Sequence, residues 1–224
     1  MTTEQQNPPR PPGGMGFTRE LETQIVARHS PGVHDRVKRA TVGIAGVGGL
    51  GSNAAVFLAR LGVGTLIIAD FDNVEPGNLN RQHYFIDQLN QPKTAALGET
   101  LERVNPFVTV IPHQTRLTTV NTPALFADAD IMMECFDDPE AKAMAFECAR
   151  TTMKHVPWVM ASGLAGYGSA HTIRVRRIAD NVLLVGDGES AAAPDCGLMA
   201  PRVNVCAATQ ANVVLRMLMG EEIA

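Results

Sequence analysis

Residues 41–57, TVGIAGVGGLGSNAAVF, carry the reading that decides the fold. Thr41 to Ala45 is a β-branched, apolar run of the kind that forms a buried strand. It enters a glycine turn, and beyond Ser52 small and apolar residues recur at helical spacing. Gly46, Gly48 and Gly51 satisfy G-x-G-x-x-G inside this strand–turn–helix. The first glycine permits the turn, the second lets backbone approach a phosphate, and the third lets helix pack on strand. Free N–H groups at the helix start then attract anionic oxygen. A second strand, Thr65 to Ala69, ends at Asp70, where an acid would meet a ribose hydroxyl. A nucleotide site follows, and the motif alone suits ATP and NAD equally.

The 224 residues are expected to form one domain, able to bury about 70% of the unfolded chain's surface. The formal charge is −4 with Lys and Arg dispersed, which argues against a nucleic-acid or acidic-membrane partner. No signal-like apolar core opens the chain and no apolar run reaches membrane-spanning length, so a cytoplasmic protein is expected. Cys135, Cys148, Cys196 and Cys206 form no C-x-x-C pair, and the six histidines share no ligand spacing. No zinc site or disulfide framework is therefore expected.

Residues 1–16 are proline- and glycine-rich and are expected to be a disordered tail, leaving 17–224 as the single domain. A charged, helix-prone preamble leads into the first strand. The loop 69–85, ADFDNVEPGNLNRQHYF, follows the carboxyl end of the second strand, where open α/β sheets bind ligands. Asp70, Asp72, Asn78, Arg81 and Gln82 could converge there on a polyphosphate and its metal. Gln91-Pro92-Lys93 opens a helix running to about Val104, placing Lys93 in a first turn where its charge opposes the macrodipole. An anionic ligand would offset that conflict.

Further strands are expected at 107–111, 131–135 and 157–161, with helices at about 120–127 and 139–153. Asp137 follows the fourth strand, a position suited to a metal-bridging carboxylate, with Asp138 competing to cap the next helix. His171 to Arg177 alternates as a half-buried strand, antiparallel to Val182–Val185. Residues 186–201 are small, polar and turn-rich, and a last helix spans 202–219, its small face at Ala207, Ala208 and Ala211. The fold class is α/β: a Rossmann-like, mixed but mainly parallel sheet with helices on both faces and an antiparallel edge.

GVGGLGSN, ADFDNVEPGNLNRQ, QPK, ECFDD and GLMAPRV occur in this order, and over about residues 36–219 the chain resembles the ThiF/MoeB branch of the ubiquitin-activating-enzyme superfamily. It looks most like short, zinc-less ThiF-like adenylyltransferases of the sulfur carrier ThiS. The resemblance implies binding of ATP with Mg2+ and adenylation of the C-terminal glycine carboxylate of a ubiquitin-like carrier ending in Gly-Gly. It also implies a homodimer and a role in thiamine biosynthesis.

By resemblance, Gly46, Gly48, Gly49 and Gly51 cradle the nucleotide and Asp70 holds the ribose. Asn78 and Arg81 meet phosphate, Lys93 acts on it as a point charge, and Asp137 holds magnesium, with Asp72 a weaker second candidate. Arg81, Lys93 and Asp137 form the catalytic set. Cys196 is a candidate for the crossover-loop cysteine of some members, and Arg19 and Arg28 for an arginine given to a partner subunit. The competing readings are an NAD-dependent oxidoreductase and a non-catalytic module that docks a carrier.

Overall fold

The computed structural model describes residues 19–223; the expected tail at 1–16 lies outside them. In chain order the elements are α1 (Arg19–Ile25), α2 (Val33–Val37), β1 (Thr41–Ala45), α3 (Gly49–Leu61), β2 (Thr65–Asp70), α4 (Lys93–Val104), β3 (Thr109–Gln114), α5 (Thr122–Leu125), β4 (Ile131–Glu134), α6 (Pro139–Arg150), β5 (Trp158–Ala161), β6 (Arg174–Ala179), β7 (Val182–Gly186) and α7 (Ala200–Leu218). Short 3-10 turns sit at Pro76–Asn78, Ile86–Gln88 and Ala170–Thr172.

The strands form one sheet in the order β3-β2-β1-β4-β5-β7-β6. Every neighbouring pair is parallel except β6 with β7, so the antiparallel edge is where the alternating pattern placed it. After β1 the chain moves outward to β2 and β3, then returns to lay β4 on the other side of β1. That reversal opens a crevice at the carboxyl ends of β1 and β4, the place where such sheets bind ligands. Helices cover both faces. Val56, Leu58, Leu97, Val203, Ala207 and Ala211 pack over one face with the strand residues Val42, Ile44 and Leu66. Phe126, Ala145, Cys148 and Ala149 pack over the other with Ile67, Met132 and Trp158. Of the small face of the last helix, Ala207 and Ala211 are buried in the first of these layers and Ala208 is half-buried.

Where element boundaries differ from expectation, local hydrogen bonds explain the shift. β3 begins at Thr109 rather than 107 because Asn105 turns the chain, its Oδ1 accepting from Phe107 N–H at 3.1 Å and its carbonyl from Val108 N–H at 3.3 Å. β6 begins at Arg174 because Ser169 holds a 3-10 turn, its Oγ accepting from His171 N–H. α7 starts at Ala200, with Pro201 in its first turn, where a missing N–H costs nothing.

Candidate nucleotide site

β1 ends at Ala45 and the chain turns through Gly46, whose φ of 87° lies in the left-handed region that glycine enters without penalty. α3 starts three residues later, so its first N–H groups face the crevice. Gly51 is needed for contact: a Cβ there would run into the carbonyl of Gly46. The turn is held from both sides. Asp70 Oδ2 accepts from Val47 N–H at 2.8 Å while its Oδ1 accepts from Asp72 N–H at 2.9 Å. Burial raises the Asp70 carboxyl above the ordinary carboxylate range, the two amides and nearby Lys93 pulling against that rise. The buried Tyr84 hydroxyl donates to Val47 O at 2.7 Å.

The segment after β2 folds back over this turn. Asn53 Nδ2, on α3, donates to Gly49 O at 2.7 Å and to Arg81 O at 2.8 Å, and Ser52 Oγ accepts from His83 N–H at 2.9 Å. The aliphatic stem of Arg81 therefore lies over Gly49, its Cγ 3.6 Å from where a Cβ would stand. Arg81 Nη1 donates to Asn80 Oδ1 and Gly77 O, while its Nε is buried with no hydrogen-bond partner. The Gln82 amide lies beside Gly48, and its buried Oε1 is also without a partner. Four other buried side-chain atoms among the described residues are also unpaired, but these two, one donor and one acceptor, lie together at the glycine turn, where a ligand with both kinds of group would pair them.

Lys93 is the first residue of α4 and is buried, not solvated. Its Nζ donates to Asp72 Oδ2 at 2.9 Å, so within the chain Asp72 supplies the anion that offsets the unfavourable dipole. Asn78 is committed locally: its Oδ1 accepts from Glu75 N–H at 3.0 Å and closes the 3-10 turn, leaving the amide nitrogen for a ligand. Asp138 caps α6, its Oδ2 accepting from Ala141 N–H at 2.8 Å. Asp137 is exposed and has neither a hydrogen bond nor an ion pair among the described residues. The loop carrying it abuts the turn, since a Cβ on Gly46 would stand 3.0 Å from Phe136 Cδ1.

The structure thus brings together Gly46, Gly48, Gly49, Gly51, Asp70, Asp72, Arg81 and Lys93, with Asn78 held in its own turn of the same loop and Asp137 one residue beyond the Phe136 contact. It does not bring Arg19 or Arg28 there. α1 and the turn after it lie beside His34, Gly64, Thr65 and Thr109, at the amino ends of β2 and β3. Cys196 is half-buried in the crossover loop, its N–H donating to Ala193 O and its sulfur beside Gly166. Cys135, Cys148 and Cys206 are buried, and burial pushes all three thiols up, Cys206 to about 12.

Two part-buried ion pairs had gone unread in the sequence, each with one buried member. Glu134 pairs with Lys142 at 2.8 Å, and Arg202 Nη2 with Asp187 Oδ2 at 2.6 Å. A visible signal existed for the first: Glu134 is a charge at the end of an otherwise apolar strand.

The ThiF family model matches residues 20–224. The molybdopterin-synthase adenylyltransferase of Escherichia coli strain K12 is 31% identical over 190 residues, covering 83% of this chain and 76% of that protein. The adenylyltransferase and sulfurtransferase UBA4 of Yarrowia lipolytica is 30% identical over 189 residues, covering 79% of this chain. This chain spans 45% of the length of that protein, and 27% of its Aspergillus clavatus counterpart. Among solved structures, the tRNA N6-threonylcarbamoyladenosine dehydratase TcdA of E. coli in complex with ATP superposes with a TM-score of 0.81 at 20% identity. The match covers 90% of this chain and 95% of that one, and at such identity it shows the shared fold alone. With the family model spanning the whole nucleotide crevice, the chain belongs to the ThiF family.

Proposed function

We propose that this chain binds MgATP on the Gly46–Gly51 turn and adenylates the C-terminal glycine carboxylate of a small ubiquitin-like sulfur carrier, releasing pyrophosphate. The observation that carries the reading is the pair of buried, unpartnered atoms, Arg81 Nε and Gln82 Oε1, set against the glycine turn beside a buried lysine. The names of the E. coli and Y. lipolytica relatives, both adenylyltransferases, support it.

The chemistry asks little covalent work of the protein. A carboxylate is ionised at neutral pH and attacks the α-phosphorus without a general base. The site must orient the two reactants and neutralise charge developing on phosphate oxygen and departing pyrophosphate. Arg81 presents a planar fork to phosphate, and Lys93 a compact charge that exchanges Asp72 for a phosphate oxygen. Asp70 holds the ribose while keeping the turn in shape. Magnesium characteristically takes one or two carboxylates and completes its shell with water and substrate phosphates. An exposed, uncommitted Asp137 fits that role. In this reading the ion arrives with its triphosphate. The ion would supply charge neutralisation at the β- and γ-phosphates.

The carrier resembles ThiS, the pathway is thiamine biosynthesis, and the protein works as a cytoplasmic homodimer in which Arg19 or Arg28 reaches the partner's site. ATP–pyrophosphate exchange that requires both Mg2+ and a carrier ending in Gly-Gly tests this reading. Calorimetry with ATP and with NAD separates it from an oxidoreductase: ATP should bind and NAD should not. Absence of exchange with every Gly-Gly carrier tried, or preference for NAD, would remove the proposal.

A further inference from the structure

β4 runs Ile-Met-Met and then ends on Glu134, whose side chain is 2% exposed. Glu134 Oε1 accepts from Phe136 N–H at 2.7 Å and from Lys142 Nζ at 2.8 Å, and its Oε2 from Ala161 N–H at 3.4 Å. Lys142, in the first turn of α6, also donates to Ala161 O at 2.8 Å. Gln210 Nε2, on α7, donates to Glu134 O at 3.1 Å and Val159 O at 3.2 Å. One carboxylate therefore ties the exits of β4 and β5 to the start of α6.

Stability does not account for this arrangement. The pair withdraws the Glu134 charge from water, and replacing such a pair by apolar residues is often neutral or favourable. The three residues that follow supply the account. Phe136 N–H is held by Glu134, and the Asp138 side chain is held at Ala141 N–H. Asp137 lies between these two anchors with its own carboxylate uncommitted. An exposed loop residue pinned on both sides loses little further entropy when it engages a ligand.

We infer that Glu134 is the positioning residue for Asp137: by accepting the Phe136 amide it fixes the backbone from which Asp137 reaches the metal–triphosphate. The inference rests on the reading of Asp137 given above. Lys142 Nζ sits on the same oxygen and supplies its counter-charge.

Two double variants separate this from a structural role. In Glu134→Gln/Lys142→Met both charges go but an oxygen remains to accept the Phe136 amide. In Glu134→Leu/Lys142→Met that acceptor is lost. The first variant should keep pyrophosphate exchange within about threefold of wild type, with an unchanged half-saturating Mg2+ concentration. The second should stay folded, lose at least about tenfold in exchange rate, and need several-fold more Mg2+. Amide hydrogen exchange in the wild type and in Glu134→Gln gives a readout independent of activity and of the leucine variant's folding: the Phe136 amide should be protected well beyond that of Asp137. Equal impairment of both double variants, a fully active leucine variant, or a Phe136 amide exchanging as fast as that of Asp137 would overturn the inference. Asp137→Ala, run alongside, tests the underlying reading separately; wild-type exchange there would remove the role of Asp137 while the amide protection could still be seen.

Discussion

Lys93 and Asp72 are joined twice. Lys93 N–H donates to Asp72 O at 2.9 Å, and Lys93 Nζ donates to Asp72 Oδ2 at the same distance. The lysine side chain is 7% exposed and its partner 47%, so the carboxylate can swing into solvent while the ammonium cannot. Asp72 thus occupies the ammonium within the chain, and in the proposed reaction an ATP phosphate would take its place.

Asp72→Asn should consequently destabilise the protein without nucleotide, by about 1 kcal/mol, because a buried ammonium loses its counter-charge. ATP should restore the balance. Differential scanning fluorimetry should show a larger ATP-induced rise in Tm for Asp72→Asn than for wild type. Equal rises would mean that Lys93 never exchanges Asp72 for phosphate.

Arg81→Ala and Asp137→Ala should each abolish adenylation while leaving the fold intact. Removing one preorganised charge from a transition-state site typically costs ~10²–10³-fold in rate. Neither residue carries core packing: Asp137 is exposed, and Arg81 covers Gly49 only with its stem. Circular dichroism should be unchanged, and pyrophosphate exchange should fall to background. Wild-type turnover in either variant would remove that residue from the site.

The glycines divide into those the backbone needs and those it tolerates. A Cβ on Gly51 would strike the Gly46 carbonyl and crowd Ile44, forcing α3 away from β1. Gly51→Ala should cost ~1–3 kcal/mol and weaken ATP binding together with it. Gly98, within α4, has nothing within 4 Å of an added Cβ. Gly98→Ala should therefore stabilise by about 0.5–1 kcal/mol through helix propensity. Chemical denaturation of the two variants reads both signs in one experiment.

What the sequence made legible was local. The Gly46–Gly51 turn, the apolar strands β1, β2 and β4 and the acids after them are set by residue type and short spacing, and the structure places them as those patterns imply. Strands alternating with helices imply the parallel pairing; the reversal beside β1 is seen only in the strand order of the structure. Pairings across the fold were not legible: Glu134 with Ala161 depends on β4 and β5 becoming neighbours, Arg202 with Asp187 on where α7 lies, and Tyr84 with Val47 on the loop after β2 folding back. Lys93 shows the intermediate case. Its awkward helix position was visible, but the anion that offsets it, Asp72, emerged only once the loop after β2 folded back.

The crossover loop hangs from a second such pairing, and acid should release it. Asp187 accepts from Ser190 Oγ, from the amides of Ser190 and Glu189, and from Arg202 Nη2. Arg202 in turn donates to Gly168 O, Ser169 O and Thr172 Oγ1. Burial alone would raise the Asp187 carboxyl, but these donors outweigh it and hold the group down at about 2 against an ordinary 3.8. A carboxylate depressed on folding contributes stability above its unfolded value, and that contribution is lost as pH falls through the folded one. The window runs from about 3.8 down to about 2. Asp187→Asn should melt well below wild type at pH 6, and the gap should narrow as pH falls through that window. Other carboxylates titrate alike in both proteins and cancel in the difference. Limited proteolysis of the variant at neutral pH should cut first within residues 188–199, between the freed anchor and the start of α7. A Tm gap constant from pH 6 to pH 2 would mean that Asp187 does not hold the loop through its charge.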